Sequence, residues 1–179
     1  MPEHRIACFI DGGYLDKSLK DEFNSVRIDY AKLSLWMARD IPIYRTYYYN
    51  CLPYQGNPPT PEESERYARA LRFYDALERL DRFEIRRGKL KRIGNDFTQK
   101  GVDVYLAIDL IKLSTKGIIT HASVFTGDSD FLPVIQAAKE EGIIIYLYYS
   151  QKYYPNTDLW KCCDERRCLT WEVVQSILR

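Results

Sequence analysis

Short apolar segments alternate with helical patterns in the second half of this chain, and this alternation restricts the fold more than any other feature. Residues 122–126 and 143–149 are apolar runs of strand length. Residues 102–114 and 131–141 carry apolar residues at helical spacing, and Gly142 closes the second of these helices. Strand–helix–strand order produces a parallel sheet with helices on both faces. We therefore predict an α/β fold with a mostly parallel central sheet.

The first half of the chain predicts the remaining elements. Asp29 is a candidate N-cap, and Thr60, Pro61 and Glu63 together have the pattern of a capping box. The loop before Thr60 carries prolines, as loops often do. The predicted elements are a strand at 4–10, a helix at 14–22, a helix after Asp29, a strand at 41–49, a helix from Pro61, two short strands around Arg87-Gly88 within 83–93, and a last helix capped by Thr170.

Composition excludes several classes of protein. Apolar residues make up 46% of the 179 residues, which excludes a disordered chain. Lys plus Arg number 26 and Asp plus Glu number 25, which excludes a polycation but allows local charge segregation. No apolar run approaches the roughly 20 residues of a membrane helix, and the N-terminal residues lack a signal-peptide pattern. We expect a cytoplasmic protein with no membrane partner.

Five cysteines without CxxC spacing and only two histidines argue against a disulfide scaffold and against zinc. The chain contains no internal repeat and no long linker. We expect one domain over residues 1–179, with the motifs in about 5–150 and a C-terminal extension at 151–179. Apolar and aromatic residues of this extension, such as Trp160 and Trp171, either cover the core or form a homodimer contact.

Carboxylates follow two of the predicted strands. Asp11 ends the first strand, and Asp128 and Asp130 follow the strand at 122–126. Asp103 opens the helix before that strand. Because ligands bind at the carboxyl ends of parallel strands, these acids are expected at one rim. Crowded carboxylates repel unless cations neutralise them, and Mg²⁺ or Mn²⁺ prefers such oxygen ligands.

Each acid also has a purely structural interpretation. Asp11 and Asp128 are common turn or cap residues, Asp130 could cap the helix at Phe131, and Asp103 could complement a helix dipole. Asp109 lies about 120° around the helix from Asp103 and is interpreted as structural.

Positive charge is concentrated in residues 82–100, where seven cationic and two acidic residues give a net charge of +5. Such a hairpin suits phosphate contacts, although a solvated surface is the alternative. Tyrosines near the end of the second strand either stack on bases or pack in the core. The candidate phosphate ligands are Arg86, Arg87, Lys89, Lys91, Arg92 and Lys100, and the candidate stacking residues are Tyr47, Tyr48, Tyr49 and Tyr54.

Three motifs together resemble the NYN domain family, in its LabA-like bacterial branch of the PIN-like nuclease superfamily. They are FIDGGYL at 9–15, QKGVDVYLAIDLIKL at 99–113 and TGDSDFLPVIQAAKEEG at 126–142. Leu159 and Asp164 resemble a loosely defined closing segment of the family. Many relatives have Asn where this chain has Tyr14.

The resemblance implies a Rossmann-like PIN fold and a Mg²⁺- or Mn²⁺-dependent endoribonuclease that leaves a 5′-phosphate and a 3′-hydroxyl. It assigns the catalytic and metal-binding roles to Asp11, Asp103 and Asp128, with Asp130 as the fourth acid. We expect Thr126 and Ser129 to orient carboxylates or contact phosphate. Single-stranded RNA is the expected substrate and DNA is a second option. The alternatives are a non-catalytic RNA-binding or regulatory module, a small phosphohydrolase, and a flap-type DNA nuclease.

Overall fold

Six parallel strands and one antiparallel edge strand form a seven-stranded sheet. The computed structural model describes residues 3–94 and 96–179, and for residues 91–93 and 96–100 it describes the backbone only. The strands are β1 (Ile6–Asp11), β2 (Ile43–Cys51), β3 (Phe83–Ile93), β4 (Asp96–Lys100), β5 (His121–Phe125), β6 (Ile144–Ser150) and β7 (Glu165–Leu169). Their order in the sheet is β4-β3-β2-β1-β5-β6-β7, so β1 is the central strand.

Helices cover both faces of this sheet, as the alternation predicted. They are α1 (Gly12–Glu22), α2 (Tyr30–Ala38), α3 (Pro61–Glu78), α4 (Val102–Thr115), α5 (Leu132–Glu140), α6 (Thr157–Cys162) and α7 (Trp171–Ser176), with a 3₁₀ turn at Ser129–Phe131 before α5. Helices α1, α2, α3 and α7 pack on one face, and α4, α5 and α6 pack on the other. Connections from the two halves of the chain thus diverge on either side of β1, which makes the gap between β1 and β5 the topological switch point.

Local capping signals in the sequence produce the helix starts that they predicted. The Asp29 carboxylate accepts hydrogen bonds from the backbone amides of Ala31 and Lys32 at the start of α2. Thr60 and Glu63 form the complete capping box of α3. The hydroxyl of Thr170 accepts from the Val173 amide at the start of α7. These predictions are confirmed because each depends on residues only a few positions apart.

The predicted pair of short strands around Arg87-Gly88 is wrong. Strand β3 runs without interruption through Gly88, which lies opposite Cys51 of β2. The chain turns back only after Ile93, where β4 pairs antiparallel with β3. Continuous pairing with β2 satisfies the backbone of Gly88 in the sheet, and this outweighs the tendency of glycine to break strands.

Of the two alternatives for the tyrosines of β2, the structure shows packing in the core and not base stacking. Tyr47, Tyr48 and Tyr49 are 4%, 0% and 0% exposed, because both faces of the sheet are covered. Tyr47 and Tyr49 pack towards α4, whereas Tyr48 packs among α1, α3 and Tyr30. Tyr54 is half-buried in the loop that follows.

None of the five cysteines, all of which the structure describes, forms a disulfide bond. Among the residues that the structure describes, no helix combines the length and apolar character needed to cross a membrane. Strand β7 adds the C-terminal extension to the sheet through its parallel pairing with β6.

Candidate functional site

Two acidic turns meet at the switch point. Asp11 is the last residue of β1 and the N-cap of α1, where its Oδ1 accepts a hydrogen bond from the Tyr14 amide at 3.1 Å. Asp128 follows β5 and caps the 3₁₀ turn by accepting from the Asp130 amide at 2.9 Å. Because Ile10 lies opposite Phe125 in the parallel pairing of β1 and β5, both turns leave the sheet at the same edge.

Thr126 links the two acids. Its hydroxyl donates to Oδ2 of Asp11 at 3.3 Å and accepts from the backbone amide of Asp128 at 3.1 Å. The residue is fully buried, so its hydroxyl is held between the two turns. This arrangement orients Asp11 relative to Asp128.

The electrostatics of these acids show that they lie near one another. Burial raises the pKa of Asp11 to about 6, and the charges of Asp103 and Asp128 add to the rise. Hydrogen bonds from the Tyr14 amide and from Thr126 oppose it. Partial desolvation, followed by the charges of Asp128 and Asp130, raises the pKa of Asp103. Four carboxylates therefore share one region of negative potential.

The donor set suits a hard divalent cation, since each of these acids offers carboxylate oxygens. The arrangement is nevertheless open. Among the residues that the structure describes, no three His, Cys, Asp or Glu side chains are spaced to hold one ion together. The residues thus fit Mg²⁺ or Mn²⁺ in chemistry, and the side chains have to draw closer to coordinate it.

The structural interpretations of two acids are resolved. Asp128, not Asp130, provides the cap at this turn, and α5 begins without a side-chain cap. Asp130 is exposed, as is Ser129 beside it. Asp109 has the structural role expected of it, because it pairs with Arg86 at 2.9 Å and accepts from the Tyr49 hydroxyl at 3.0 Å.

The cations predicted to bind phosphate differ in whether they form ion pairs within the protein. Arg86 pairs with Asp109 and Glu84, and Arg87 pairs with Glu78 at 2.9 Å. Lys89 is exposed on the same strand. Arg86 and Arg87 are thus already committed to ion pairs, whereas Lys89 points into solvent. The side chains of Lys91, Arg92 and Lys100 lie outside the described residues.

Asp16 is a solvent-exposed acid near this site that was not among the residues predicted from the sequence. Its Oδ2 accepts hydrogen bonds from Asn50 Nδ2 at 3.0 Å and from the Tyr48 hydroxyl at 3.4 Å. Partial desolvation raises its pKa to about 6, and Asp11 adds to the rise. Its position five residues after Asp11 in α1 is a signal, but Asn50 and Tyr48 come from the neighbouring strand β2, which sequence spacing does not reveal.

Tyr14 joins the start of α1 to the loop after β6. Its hydroxyl donates to the carbonyl oxygen of Tyr153 at 2.6 Å and accepts from the Ser150 amide at 2.9 Å. The Ser150 hydroxyl in turn donates to Glu22. In the sequence Tyr14 stands out only as a departure from Asn, whereas the structure gives it a role in packing this edge of the site.

The acid-lined switch point of a Rossmann-like sheet is the architecture of the PIN-like nuclease class. A family model for the NYN domain matches residues 5–169, and the chain therefore belongs to the NYN domain family. The match extends beyond residue 150 and includes Leu159, which is buried, and Asp164, which accepts from the Ile145 amide at 2.8 Å. Assignment to the LabA-like branch remains a prediction.

One solved structure supports the fold independently. A crystal structure of a protein of unknown function from Vibrio parahaemolyticus has a TM-score of 0.67 with this chain at 13% sequence identity. The similarity covers 99% of this chain and 97% of that chain. At this identity the comparison shows a common fold alone. No curated protein matches the chain.

Proposed function

We propose that this chain is a divalent-metal-dependent endoribonuclease that hydrolyses phosphodiester bonds in single-stranded RNA. The observation that carries the proposal is the meeting of Asp11 and Asp128 at the switch point through the Thr126 hydroxyl, where the charges of Asp103 and Asp128 add to the rise in the pKa of Asp11. Membership of the NYN family supports a nucleic-acid substrate.

The four acids would hold Mg²⁺ or Mn²⁺, with Asp11, Asp103 and Asp128 as the main ligands and Asp130 directly or through water. When bound, the ion supplies a Lewis acid that activates water and stabilises the departing oxygen. Thr126 keeps the carboxylate of Asp11 oriented through its hydrogen bond. The Tyr14 amide also holds the Asp11 carboxylate at the start of α1. This proposed metal ligand is therefore preorganised on a rigid element.

Cationic side chains position the substrate. Lys89 is exposed and contacts phosphate without reading sequence. We propose that Lys91, Arg92 and Lys100 also contact phosphate. Arg86 and Arg87 are proposed to contribute less, because each already forms an ion pair with an acid. Ser129, exposed beside Asp128, is proposed to contact the scissile phosphate.

The test is a cleavage assay on labelled single-stranded RNA and DNA with Mg²⁺, with Mn²⁺ and with chelator. We expect Asp11→Asn and Asp128→Asn to abolish metal-dependent cleavage of RNA while melting stays unchanged or rises, because removal of a like charge relieves repulsion. Asp81→Asn is the matched control, since Asp81 is exposed. Full activity in either site variant would reject the assignment.

A non-catalytic RNA-binding module on the same fold is the second candidate. The open spacing of the acids is the observation that favours it. In that case RNA binds equally with chelator and with Mn²⁺, and no cleavage product forms in any condition. Preferential cleavage of the DNA strand would instead assign the site to DNA.

A further inference from the structure

A groove lies on one helical face of the protein. It has a volume of about 880 Å³ and lies between α1, the segment at 25–30 and α3. A smaller cavity of about 300 Å³ adjoins it, and Asp16 and Phe73 line both. The larger volume is within the range of roughly 300–1,000 Å³ that ligand sites occupy.

The groove starts close to the candidate active site. Asp16 lines it, lies five residues after Asp11 on α1, and is near enough to Asp11 for the charge of Asp11 to raise its pKa. Asn50, which donates to Asp16, lines the smaller cavity at the carboxyl end of β2. The path from Asp11 to the far end follows α1, whose 11 residues extend about 16 Å, the length of about five nucleotides stacked at 3.4 Å.

The floor of the groove is apolar and its rim is cationic. Leu19, Ile28 and Leu77 form part of the floor and are nearly buried, and the half-buried ring of Phe73 lies among them. Such a surface offers apolar and aromatic groups to planar bases.

Five cations line this groove in a chain whose total charge is only +1. Lys20 comes from α1, Arg27 from the following segment, Arg69 and Arg72 from α3, and Arg179 follows α7. All five are exposed. Arg69 pairs with Glu65, whereas the ion pairs among the described residues do not include Arg27 or Arg72. Of the two acids that line the groove, Asp29 is engaged in capping α2.

We propose that this groove binds the part of a single-stranded RNA that extends beyond the scissile phosphate. Its phosphates contact Arg27, Arg69 and Arg72, and its bases lie on the apolar floor beside Phe73. This inference rests on the proposed function, since it assigns a path to the same substrate.

Continuity with the acidic site favours RNA over an acidic peptide. An acidic peptide would bind through the cations and the apolar floor alone, and its binding would not require a groove that begins near Asp11. A polynucleotide held at the acids must leave the site along some surface, and the groove is a cationic path that begins there. Among polyanions, single strands present bases to an apolar floor, whereas a duplex keeps them stacked inside.

The test measures RNA binding in chelator, so that cleavage does not interfere. The probes are a single-stranded RNA of about 12 nucleotides, which covers site and groove, and one of about 3 nucleotides, which covers the site alone. For Arg27→Glu/Arg72→Glu we expect affinity for the long probe to fall about tenfold or more. The slope of log affinity against log salt should decrease by about 1.4, and binding of the short probe should stay the same.

Lys112→Glu/Lys116→Glu is the matched control. Both lysines are exposed at the end of α4 on the opposite face of the sheet, and their reversal changes the net charge equally. We expect this variant to bind the long probe as the wild type does. Melting curves of both variants establish that the fold is intact.

Equal loss of affinity in both double variants would overturn the proposal that the groove binds RNA, because RNA affinity would then depend only on the net charge of the protein. Unchanged binding by Arg27→Glu/Arg72→Glu, in a protein whose wild type cleaves RNA, would also overturn it and leave the nuclease proposal standing. If wild type neither binds nor cleaves RNA, the proposed function itself fails. Binding of polyglutamate that depends on Arg27 and Arg72, with no RNA binding, would assign the groove to an acidic protein.

Discussion

The ring of Tyr14 lies directly against Gly127, the residue before Asp128. A Cβ atom at position 127 would be 2.6 Å from Cε2 of Tyr14 and 3.0 Å from the carbonyl oxygen of Tyr153. The Tyr14 amide also donates to Asp11. Tyr14 therefore connects both acidic turns of the site, because its backbone amide donates to Asp11 and its ring packs against Gly127.

Tyr14→Phe keeps the ring against Gly127 but removes the hydroxyl. The Tyr153 carbonyl then loses its donor and the Ser150 amide loses its acceptor. We expect the free energy of unfolding to fall by about 1–3 kcal/mol, as is usual when buried polar groups lose partners. Chemical denaturation of the variant measures the change.

Tyr105→Phe is the control for this prediction, since Tyr105 is 43% exposed. Its stability should match that of the wild type. If Tyr14→Phe and Tyr105→Phe unfold at the same denaturant concentration, the Tyr14 hydroxyl does not stabilise the loop after β6.

Features set by neighbouring residues could be predicted from the sequence, whereas features set by neighbouring strands could not. The capping box of Thr60 and Glu63 needs only four consecutive residues. The acids at the ends of β1 and β5 were predictable because apolar runs mark strand ends. The path of β3 through Gly88 depends instead on its pairing with Cys51, which is far away in the chain.

Burial of Tyr47, Tyr48 and Tyr49 has a similar cause. Alternation along β2 points these rings to opposite faces, and a one-dimensional pattern does not say whether both faces are covered. Asp16 was missed because its partner Asn50 comes from β2. Residue spacing in the sequence likewise does not determine how closely the side chains of the acidic site approach one another.

Asp16 should make the free energy of unfolding depend on pH in the direction opposite to that of most carboxylates. Partial desolvation raises the pKa of Asp16 to about 6, above the 3.8 of an unperturbed group. The folded protein thus retains this proton to higher pH than the unfolded chain does. The free energy of unfolding in chelator should decrease as the pH rises from about 4 to about 7, by less than about 1 kcal/mol for this group, because solvent screens an exposed carboxylate.

Urea denaturation at several pH values in this window measures the effect, with Asp16→Asn as the comparison. The variant should lose the part of the pH dependence that Asp16 causes, while Asp11, whose pKa is also raised to about 6, retains the rest. Identical pH profiles for the wild type and the variant would contradict a raised pKa of the Asp16 carboxylate.

Divalent cations should stabilise the folded protein, because they relieve repulsion among the four acids. At a concentration of Mn²⁺ about 100 times the dissociation constant, binding to the folded state alone adds about 2.7 kcal/mol. We expect a rise in the melting temperature that saturates with Mn²⁺ or Mg²⁺. Calorimetric scans with metal and with chelator measure it, without reference to catalysis.

Asp11→Asn provides the comparison for the metal effect. In chelator its melting temperature should equal or exceed that of the wild type, because one repelling charge has been removed. Its rise with Mn²⁺ should be much smaller. A full metal-induced rise in Asp11→Asn would show that the ion binds elsewhere.

Two cations on β3 have different roles: Arg86 stabilises the fold through its ion pair with Asp109, and Lys89 is proposed to contact RNA. Asp109 is held by the Arg86 guanidinium at 2.9 Å and by the Tyr49 hydroxyl at 3.0 Å, and its side chain is only 13% exposed. Asp109→Ala should lower the free energy of unfolding by about 1–3 kcal/mol, because it leaves a buried hydroxyl without its acceptor. Lys89→Ala, on the exposed side of the strand, should leave stability unchanged but reduce the salt slope of RNA binding by about 0.7. Denaturation and salt-dependent binding of the two variants test this division, and a stability loss in Lys89→Ala would contradict it.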